Sequence, residues 1–151
     1  MCAYAHKTMP MTASERLIAC NCFASRKAAR LITKMYEDHL SRVNLTSTQF
    51  SILVYVDEVK EASMKDLVEA MVMERTSVIR ALQPLARDGL VAIGPHEEDA
   101  RRNVVRLTDA GRARLAEAMS VWQTAQAEFE SKFGAGLAGE LRQSLSTLAS
   151  A

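Results

Sequence analysis

The chain has 151 residues, of which 48% are hydrophobic and 25% charged, and these values are ordinary for one globular domain. No run of about 18 apolar residues exists, so the sequence predicts no membrane span, and residues 1–11 lack the apolar core of a secretion signal. The three cysteines, Cys2, Cys20 and Cys22, are too few for a disulfide framework. Free thiols fit a reducing compartment, and we expect a cytoplasmic protein.

Charge is unevenly distributed along the chain although the net charge is only +1. Residues 101–114 hold five arginines and one acid, and a second basic cluster occupies residues 26–34. Local basic patches can bind phosphate even when the total charge is balanced.

The first predicted helix is the longest, running from about Ser14, which can cap it, to about Leu40. Its apolar residues recur at steps of three and four on two adjacent stripes, so a broad arc should be buried. One side can pack on the protein's own core and the other on a second copy of the chain.

Capping signals introduce the next helices. Residues 46–49 (Thr-Ser-Thr-Gln) form a capping box, and Ser63 can cap a short helix over residues 64–71. A fourth helix begins near Glu74 and ends at Gly89, since a left-handed residue suits a helix C-terminus. Pro84 lies inside this helix and should bend it.

The apolar period changes after the fourth helix. Residues 90–93 and 104–107 are short β-like runs, and the polar stretch between them predicts a hairpin with a long tip. Thr108 can cap a fifth helix over about residues 109–133, which the Gly-Ala-Gly of residues 134–136 ends.

The last predicted helix has one apolar stripe, made of Leu137, Leu141, Leu145 and Leu148. The sequence offers this stripe no obvious partner within the chain. We therefore expect it to pack across a dimer.

Two short helices with a tight link, followed by a β-hairpin, have the order of a winged helix-turn-helix. In such a unit the N-terminal residues of the second helix enter the DNA major groove. The chain carries suitable residues there, namely Glu74, Arg75, Thr76, Ser77 and Arg80. Arginine can donate two hydrogen bonds to guanine, and hydroxyls serve bases or phosphates. An ordinary solvated helix face is the alternative interpretation.

The hairpin tip places Asp99 two residues before Arg101, which Arg102 follows. A carboxylate there can hold the arginine extended, so that less entropy is lost when it enters a narrow minor groove. Alone, the tip would be an ordinary charged turn; beside the helix pair it favours DNA binding.

Six segments in this order and spacing resemble the MarR (multiple antibiotic resistance regulator) family. They are residues 45–53 (LTSTQFSIL), 63–67 (SMKDL), 73–77 (MERTS), 85–91 (LARDGLV), 99–102 (DARR) and 107–112 (LTDAGR). The resemblance covers about residues 15–148, and its most specific part is the Asp-x-Arg tip followed by Leu-Thr-x-x-Gly-Arg. Pro84 departs from the commonest pattern.

The resemblance implies a mainly α fold with a small β-hairpin wing (α+β), in a single domain over residues 1–151. Residues 15–40 and 109–151 would form dimerisation helices, and residues 44–108 the DNA-binding lobe. It implies a homodimer on an inverted-repeat operator in double-stranded DNA, acting as a transcriptional regulator, usually a repressor. Arg101 would enter the minor groove with Asp99 as its orienter, and recognition-helix roles fall to Arg75, Thr76, Ser77 and Arg80. The predicted DNA-contact set also includes Ser63, Lys65, Glu74 and Arg102.

Members of this family usually respond to a phenolic or aromatic anion, or to an oxidant through a cysteine near the N-terminus. The candidate residues here are Cys20, Cys22, Arg26 and Arg30. Residues two apart on a helix point about 200° apart, so an intersubunit bridge or a sulfenic acid is more feasible than a Cys20–Cys22 bond. The alternative is that these cysteines are small buried hydrophobes.

The sequence predicts no enzyme, no metal and no cofactor. Cys20, Cys22, His39 and His96 lack a compact ligand spacing, and His39 is expected on a helix surface or in a satisfied interior position. Two alternatives to a DNA-binding regulator stay open: a thiol-based redox protein, and a helical protein-interaction module without DNA binding.

Overall fold

The computed structural model describes residues 12–149, so Cys2 and the segment tested for a secretion signal lie outside the described residues. The chain divides into two compact units, one ending at Lys34 and the other beginning at Met35. Within residues 12–149, no helix is long and apolar enough to cross a membrane.

The prediction of one continuous helix from Ser14 to Leu40 is wrong, because two helices occupy this segment. They are α1 (Ala13–Ile18) and α2 (Asn21–Leu40). Thr12, not Ser14, caps α1 in a reciprocal capping box with Glu15, a Thr-x-x-Glu pattern that the sequence displays. The chain leaves the helix at Cys20, whose Sγ accepts a hydrogen bond from the Phe23 N–H at 3.5 Å. Cys20 therefore occupies the capping position just before α2.

The three helices of the second unit that follow α2 begin close to their predicted positions, and α4 and α5 also end close to theirs. They are α3 (Ser47–Val59), α4 (Met64–Met71) and α5 (Arg75–Arg87), with a short 3-10 turn (Ser41–Val43) before α3. Thr46 caps α3, and Ser63 caps α4 in a box that Asp66 completes. Helix α5 continues through Pro84, and Gly89 has the predicted left-handed backbone, with φ +69°.

The predicted hairpin is present as β2 (Val91–Pro95) and β3 (Asn103–Leu107), antiparallel with Val91 opposite Leu107. A third strand, β1 (Ala62–Ser63), pairs with the other edge of β3, and the sheet order is β1-β3-β2. The sequence did not predict β1, because two residues are too short for a periodic pattern.

Two long helices complete the chain, α6 (Asp109–Phe133) and α7 (Ala135–Ala149). The Thr108 side chain caps α6 by accepting from the Gly111 N–H at 3.0 Å, and Gly134 ends the helix with φ +85°. On α7 only Ala138 is buried, whereas Leu137, Leu145 and Leu148 are exposed. The described part of the chain therefore leaves most of the predicted leucine stripe uncovered.

The core of the second unit lies where α3, α4, α5 and the sheet meet the first half of α6. Its fully buried side chains include Ile52, Leu53, Val56, Leu67 and Val78. His39 is also buried, which is the interior alternative of the prediction. Its Nε2 lies 2.7 Å from a Glu128 oxygen, but its buried Nδ1 has no hydrogen-bond partner within the described residues, so the ring is only partly satisfied.

Candidate nucleic-acid interface

Helix α5 buries one face and exposes the other. Val78, Leu82 and Leu85 point into the core at steps of four and three, and this contact fixes the rotation of the helix about its axis. The opposite face carries the polar residues selected from the sequence. The predicted recognition residues are therefore on the side that faces solvent.

Arg75, Thr76 and Arg80 are exposed, and Ser77 is half-buried. Within residues 12–149, neither the Arg75 nor the Arg80 guanidinium forms an ion pair or a side-chain hydrogen bond. Glu74 precedes the helix as its N-cap but makes no side-chain capping bond. Two arginines with open donors at a helix N-terminus suit contacts with guanine or phosphate.

Gln83 is a further exposed side chain on the same face, one turn after Arg80. An amide can form a paired contact with adenine in the major groove. Gln83 was not among the residues predicted from the sequence, although its step of three from Arg80 places it on the same face.

The turn between α4 and α5 holds Val72 in a left-handed conformation, with φ 51° and ψ 48°. A β-branched residue is rarely found there, because its side chain crowds the backbone. Val72 is 83% exposed, so little packing compensates the strain. Its N–H donates to Glu69 O and closes the end of α4.

Strand β1 places the start of α4 beside the hairpin, because Ser63 pairs with Val104 in the sheet. Hydrogen bonds from Ser63 hold the pKa of the Asp66 carboxyl below its usual range, and the charges of Arg102 and Lys65 lower it further. Arg102 of the wing is thus close enough to α4 for its charge to act there. Ser63 and Lys65, selected from the sequence, lie in this same region.

At the wing tip Asp99 contacts Arg101 through the backbone and not through the guanidinium, which differs from the expected arrangement. The Asp99 carboxylate accepts from the Arg101 backbone N–H at 3.1 Å, and its carbonyl accepts from the Arg102 N–H at 2.9 Å. These bonds form a tight turn that exposes the Arg101 side chain. Across residues 12–149 that guanidinium has no ion-pair partner.

The wing stem is held by residues that the sequence analysis did not select. Arg106 on β3 donates from Nε to a Glu61 oxygen at 2.6 Å and from an Nη to the Pro95 carbonyl at 3.3 Å. His96, which follows β2, has its Nε2 3.3 Å from the other Glu61 oxygen. No sequence spacing indicates this cluster, since its members meet only when the sheet forms.

The candidate sensor residues Cys20, Cys22, Arg26 and Arg30 belong to the first unit and are all exposed in the single chain. Cys20 lies outside α2 and Cys22 inside it. The 200° separation expected for two residues on one helix therefore does not apply to this pair.

Two of the open grooves along α3 in the second unit have an acidic lining. One, of about 410 Å³ between α3 and α6, is lined in part by Asp57, Glu58 and Met119, and the other, of about 340 Å³, by Phe50, Tyr55 and Glu58. Arg112, the cation of the larger groove, already pairs with Asp109. The acidic lining makes both grooves poor sites for an anion. A third groove, of about 270 Å³, has Lys60, Arg106 and Arg112 in its lining, but each of these cations pairs with a carboxylate.

Comparison with known proteins agrees with this geometry. The MarR family model matches residues 43–102, which include the helix pair and the wing tip. The DNA complex of the M. tuberculosis transcriptional regulator MosR is 34% identical, with a TM-score of 0.75 over 87% of this chain and 94% of that one. The chain belongs to the MarR family.

Other relatives of this MarR-family protein are more distant. A mutant MarR from E. coli complexed with operator DNA shares the fold, with a TM-score of 0.77 at 20% identity over 88% of this chain and 96% of that one. The organic hydroperoxide resistance transcriptional regulator of Bacillus subtilis is 27% identical over 90 residues, which are 60% of this chain. That match spans only 61% of the length of the curated relative.

Proposed function

We propose that this MarR-family protein is a cytoplasmic, sequence-specific transcriptional regulator, acting as a repressor and not as an enzyme. Helix α5 enters the major groove of double-stranded DNA, and the wing tip enters the minor groove. The proposal rests on the exposed arginines of two elements, helix α5 and the wing tip. Arg75 and Arg80 on α5, and Arg101 on the wing, are all exposed and have no ion-pair partner within residues 12–149.

The remaining members of the predicted set have supporting roles in this proposal. Lys65 and Arg102 supply phosphate contacts, and Thr76 and Ser77 contact bases or phosphates. Ser63 and Asp99 shape the backbone, since both side chains accept hydrogen bonds from backbone N–H groups. Glu74 sets the start of α5.

We infer that the functional unit is a homodimer on an inverted repeat, with half-sites about one helical turn apart. In the domain scheme that follows from the sequence, residues 15–40 and 109–151 form the dimer contact and residues 44–108 the DNA-binding lobe, within a single domain over residues 1–151. The exposed leucines of α7 support this scheme, because an uncovered apolar stripe on a helix favours a partner surface.

We propose an oxidant as the signal that releases DNA, detected at Cys20 and Cys22 with Arg26 and Arg30 as nearby cations. Both thiols are exposed in the single chain, and the Cys20 sulfur lies at the start of α2. Reaction of a thiol with an oxidant requires access to solvent, which both thiols have. An aromatic or phenolic anion is the second candidate, but the grooves along α3 offer it little attraction, because two are acidic and the cations of the third are paired with carboxylates.

The DNA proposal is tested by selecting duplexes from a random pool with the wild-type protein and then titrating the enriched duplex against a scrambled one. We expect a clear preference for the enriched duplex and an inverted repeat within it. A protein that enriches no sequence would instead be an interaction module or a thiol-based redox protein. A peroxide-consumption assay separates those two.

The signal proposal is tested with Cys20→Ser, Cys22→Ser and the double variant, using the enriched duplex. All three should bind DNA as tightly as wild type before oxidation. After peroxide treatment the wild type should release DNA and the double variant should not. Release by the double variant would show that the thiols are not the sensor.

A further inference from the structure

Glu61 joins the wing to the helix-turn-helix, although it belongs to neither. It lies just before β1, and one oxygen of its carboxylate accepts from Arg106 Nε at 2.6 Å while the other lies 3.3 Å from His96 Nε2. Arg106 is on β3 and His96 follows β2. One carboxylate therefore contacts both arms of the hairpin.

The cluster is partly shielded from water, which makes its ionic contacts stronger than those of an open surface pair. The side chains of Glu61, His96 and Arg106 are 31%, 26% and 28% exposed. One guanidinium nitrogen of Arg106, Nη2, is buried and has no hydrogen-bond partner within the described residues. Arg106 therefore relies on Glu61 and on the Pro95 carbonyl to hold its position.

His96 extends this contact to the tip. Its Nδ1 accepts from the Glu98 backbone N–H at 3.2 Å, which leaves the proton of the neutral ring on Nε2, beside the Glu61 carboxylate. The His96 backbone N–H donates to the Arg102 carbonyl at 2.7 Å and closes the tip loop. Glu61 and the loop that carries Arg101 therefore both fix the orientation of the His96 imidazole.

We propose that Glu61, acting through His96 and Arg106, is a positioning residue that determines where Arg101 enters the minor groove. This inference rests on the DNA-binding function proposed above. Glu61 contacts no DNA in this account; it fixes the angle between the wing and the lobe that carries α5.

The sign of the effect separates positioning from simple electrostatics. Removing a negative charge near a DNA-binding surface strengthens DNA binding if only charge matters. Removing the Glu61 contacts should instead weaken it, because Arg101 then samples more positions before binding. Glu97 provides the matched control, since it is an exposed carboxylate of the same hairpin loop without a side-chain hydrogen bond or ion pair within residues 12–149.

The test compares Glu61→Gln with Glu97→Gln on the duplex enriched by the wild-type protein and on a scrambled duplex. We expect Glu61→Gln to weaken binding to both duplexes roughly 3- to 10-fold, the range of coupled contacts, because the minor-groove contact of Arg101 depends little on base sequence. Glu97→Gln should bind the enriched duplex as tightly as wild type or slightly more tightly. Equal behaviour of the two variants would overturn the inference.

A double-mutant cycle with Arg101→Ala asks whether Glu61 acts through the wing arginine. Glu61→Gln should cause little further loss in the Arg101→Ala background, and a full additional loss would contradict the proposed route. Thermal unfolding checks the fold of each variant. If Glu61→Gln does not fold, His96→Ala replaces it in the same cycle, because it leaves the Glu61–Arg106 contact in place. A wild-type protein that prefers no duplex would overturn the proposed function itself, a result distinct from the failure of Glu61.

Discussion

At the scale of single residues, removing the arginines of the two elements proposed to contact DNA should weaken binding in different ways. The minor groove mainly presents its width and negative potential, whereas every base pair is distinguishable in the major groove. Arg101→Ala should therefore weaken binding to many sequences and reduce the salt slope by about one phosphate equivalent. Arg80→Ala should relax preference at particular base pairs by about 1–3 kcal/mol.

Titrations at several salt concentrations, against enriched and scrambled duplexes, distinguish these outcomes. Asp99→Ala should reproduce part of the Arg101→Ala effect, because the turn that presents Arg101 loses its hydrogen bond to the Arg101 N–H. Unchanged binding by Arg101→Ala would remove the wing from the interface.

Val72 should be replaceable with a gain in stability. Glycine adopts the left-handed backbone without the steric cost of a β-branched side chain, and Val72 buries almost nothing that would be lost. We expect Val72→Gly to raise the free energy of unfolding by about 0.5–1 kcal/mol in a denaturant titration. Val59→Gly, at an exposed helical position at the end of α3, should lower it by about 1 kcal/mol instead.

Asp66 should contribute a measurable part of the acid sensitivity of folding. Its pKa is lowered in the folded state, so its stabilising effect is complete above the unfolded-state pKa near 3.8 and is lost as the pH falls through the lower folded-state pKa. Asp66→Asn should be less stable than wild type at pH 7 and should lose less stability below pH of about 4. The control is Asp38→Asn, at an exposed carboxylate without a side-chain bond in the described chain. An unchanged acid profile in Asp66→Asn would contradict the assignment.

At the scale of elements, the start of α6 depends on a glycine. A Cβ on Gly111 would lie 1.9 Å from the Leu90 carbonyl oxygen, which is backbone and cannot rotate away. That same oxygen accepts from the Thr108 N–H at 3.1 Å, so helix and strand meet without space for a side chain. This contact explains the glycine of the Leu-Thr-x-x-Gly-Arg segment.

Gly111→Ala should therefore lower the free energy of unfolding by about 2–4 kcal/mol, as expected for a forced backbone shift. The matched control is Gly139→Ala in α7, where a Cβ meets nothing within 4 Å. That substitution should be neutral or stabilising by up to about 1 kcal/mol. Similar unfolding midpoints for the two variants would show that the backbone at Leu90 and Gly111 can move apart at little cost.

Elements marked by local chemistry could be predicted from the sequence, and those created by tertiary contacts could not. The caps at Thr46, Ser63 and Thr108 and the left-handed Gly89 each leave a signature within a few residues, and the helices of the second unit follow them. The division between α1 and α2 was missed because apolar periodicity continues across it, and a cysteine is an unusual cap.

The candidate site divides in the same way. The exposed arginines of α5 and the tip were identified from residue type and order, since a helix pair followed by a hairpin fixes their place. The cluster of Glu61, His96 and Arg106 could not be predicted from the sequence. His96 and Arg106 lie 35 and 45 positions after Glu61 in the chain, and they meet it only through the pairing of β1 with β3.

At the scale of the whole molecule, the exposed leucines of α7 predict a dimer that polar substitution should disrupt. Leu145→Glu combined with Leu148→Glu places two charges on the stripe, and burying an unpaired charge is costly. We expect a monomer by light scattering at micromolar concentration and weak binding to an inverted repeat. Gln143→Glu, on the opposite side of α7, should leave the dimer intact. A persistent dimer in the leucine variant would place the interface elsewhere.

The length of α6 has a consequence for how a signal reaches DNA. The helix has 25 residues and is therefore about 37 Å long. One end is tied to the wing and to the end of α5, because the Thr108 hydroxyl donates to Gly89 O at 2.6 Å, and the other end adjoins α7. Because the helix is long, a small tilt at one end produces a large displacement at the other. A tilt of about 5° at one end displaces the other by about 3 Å, close to the rise of about 3.4 Å per base pair along the DNA axis. For the proposed signal to release DNA from the proposed dimer, a change of angle that puts the two halves about one base pair out of step is enough, without blocking the DNA-binding surface or unfolding the lobe.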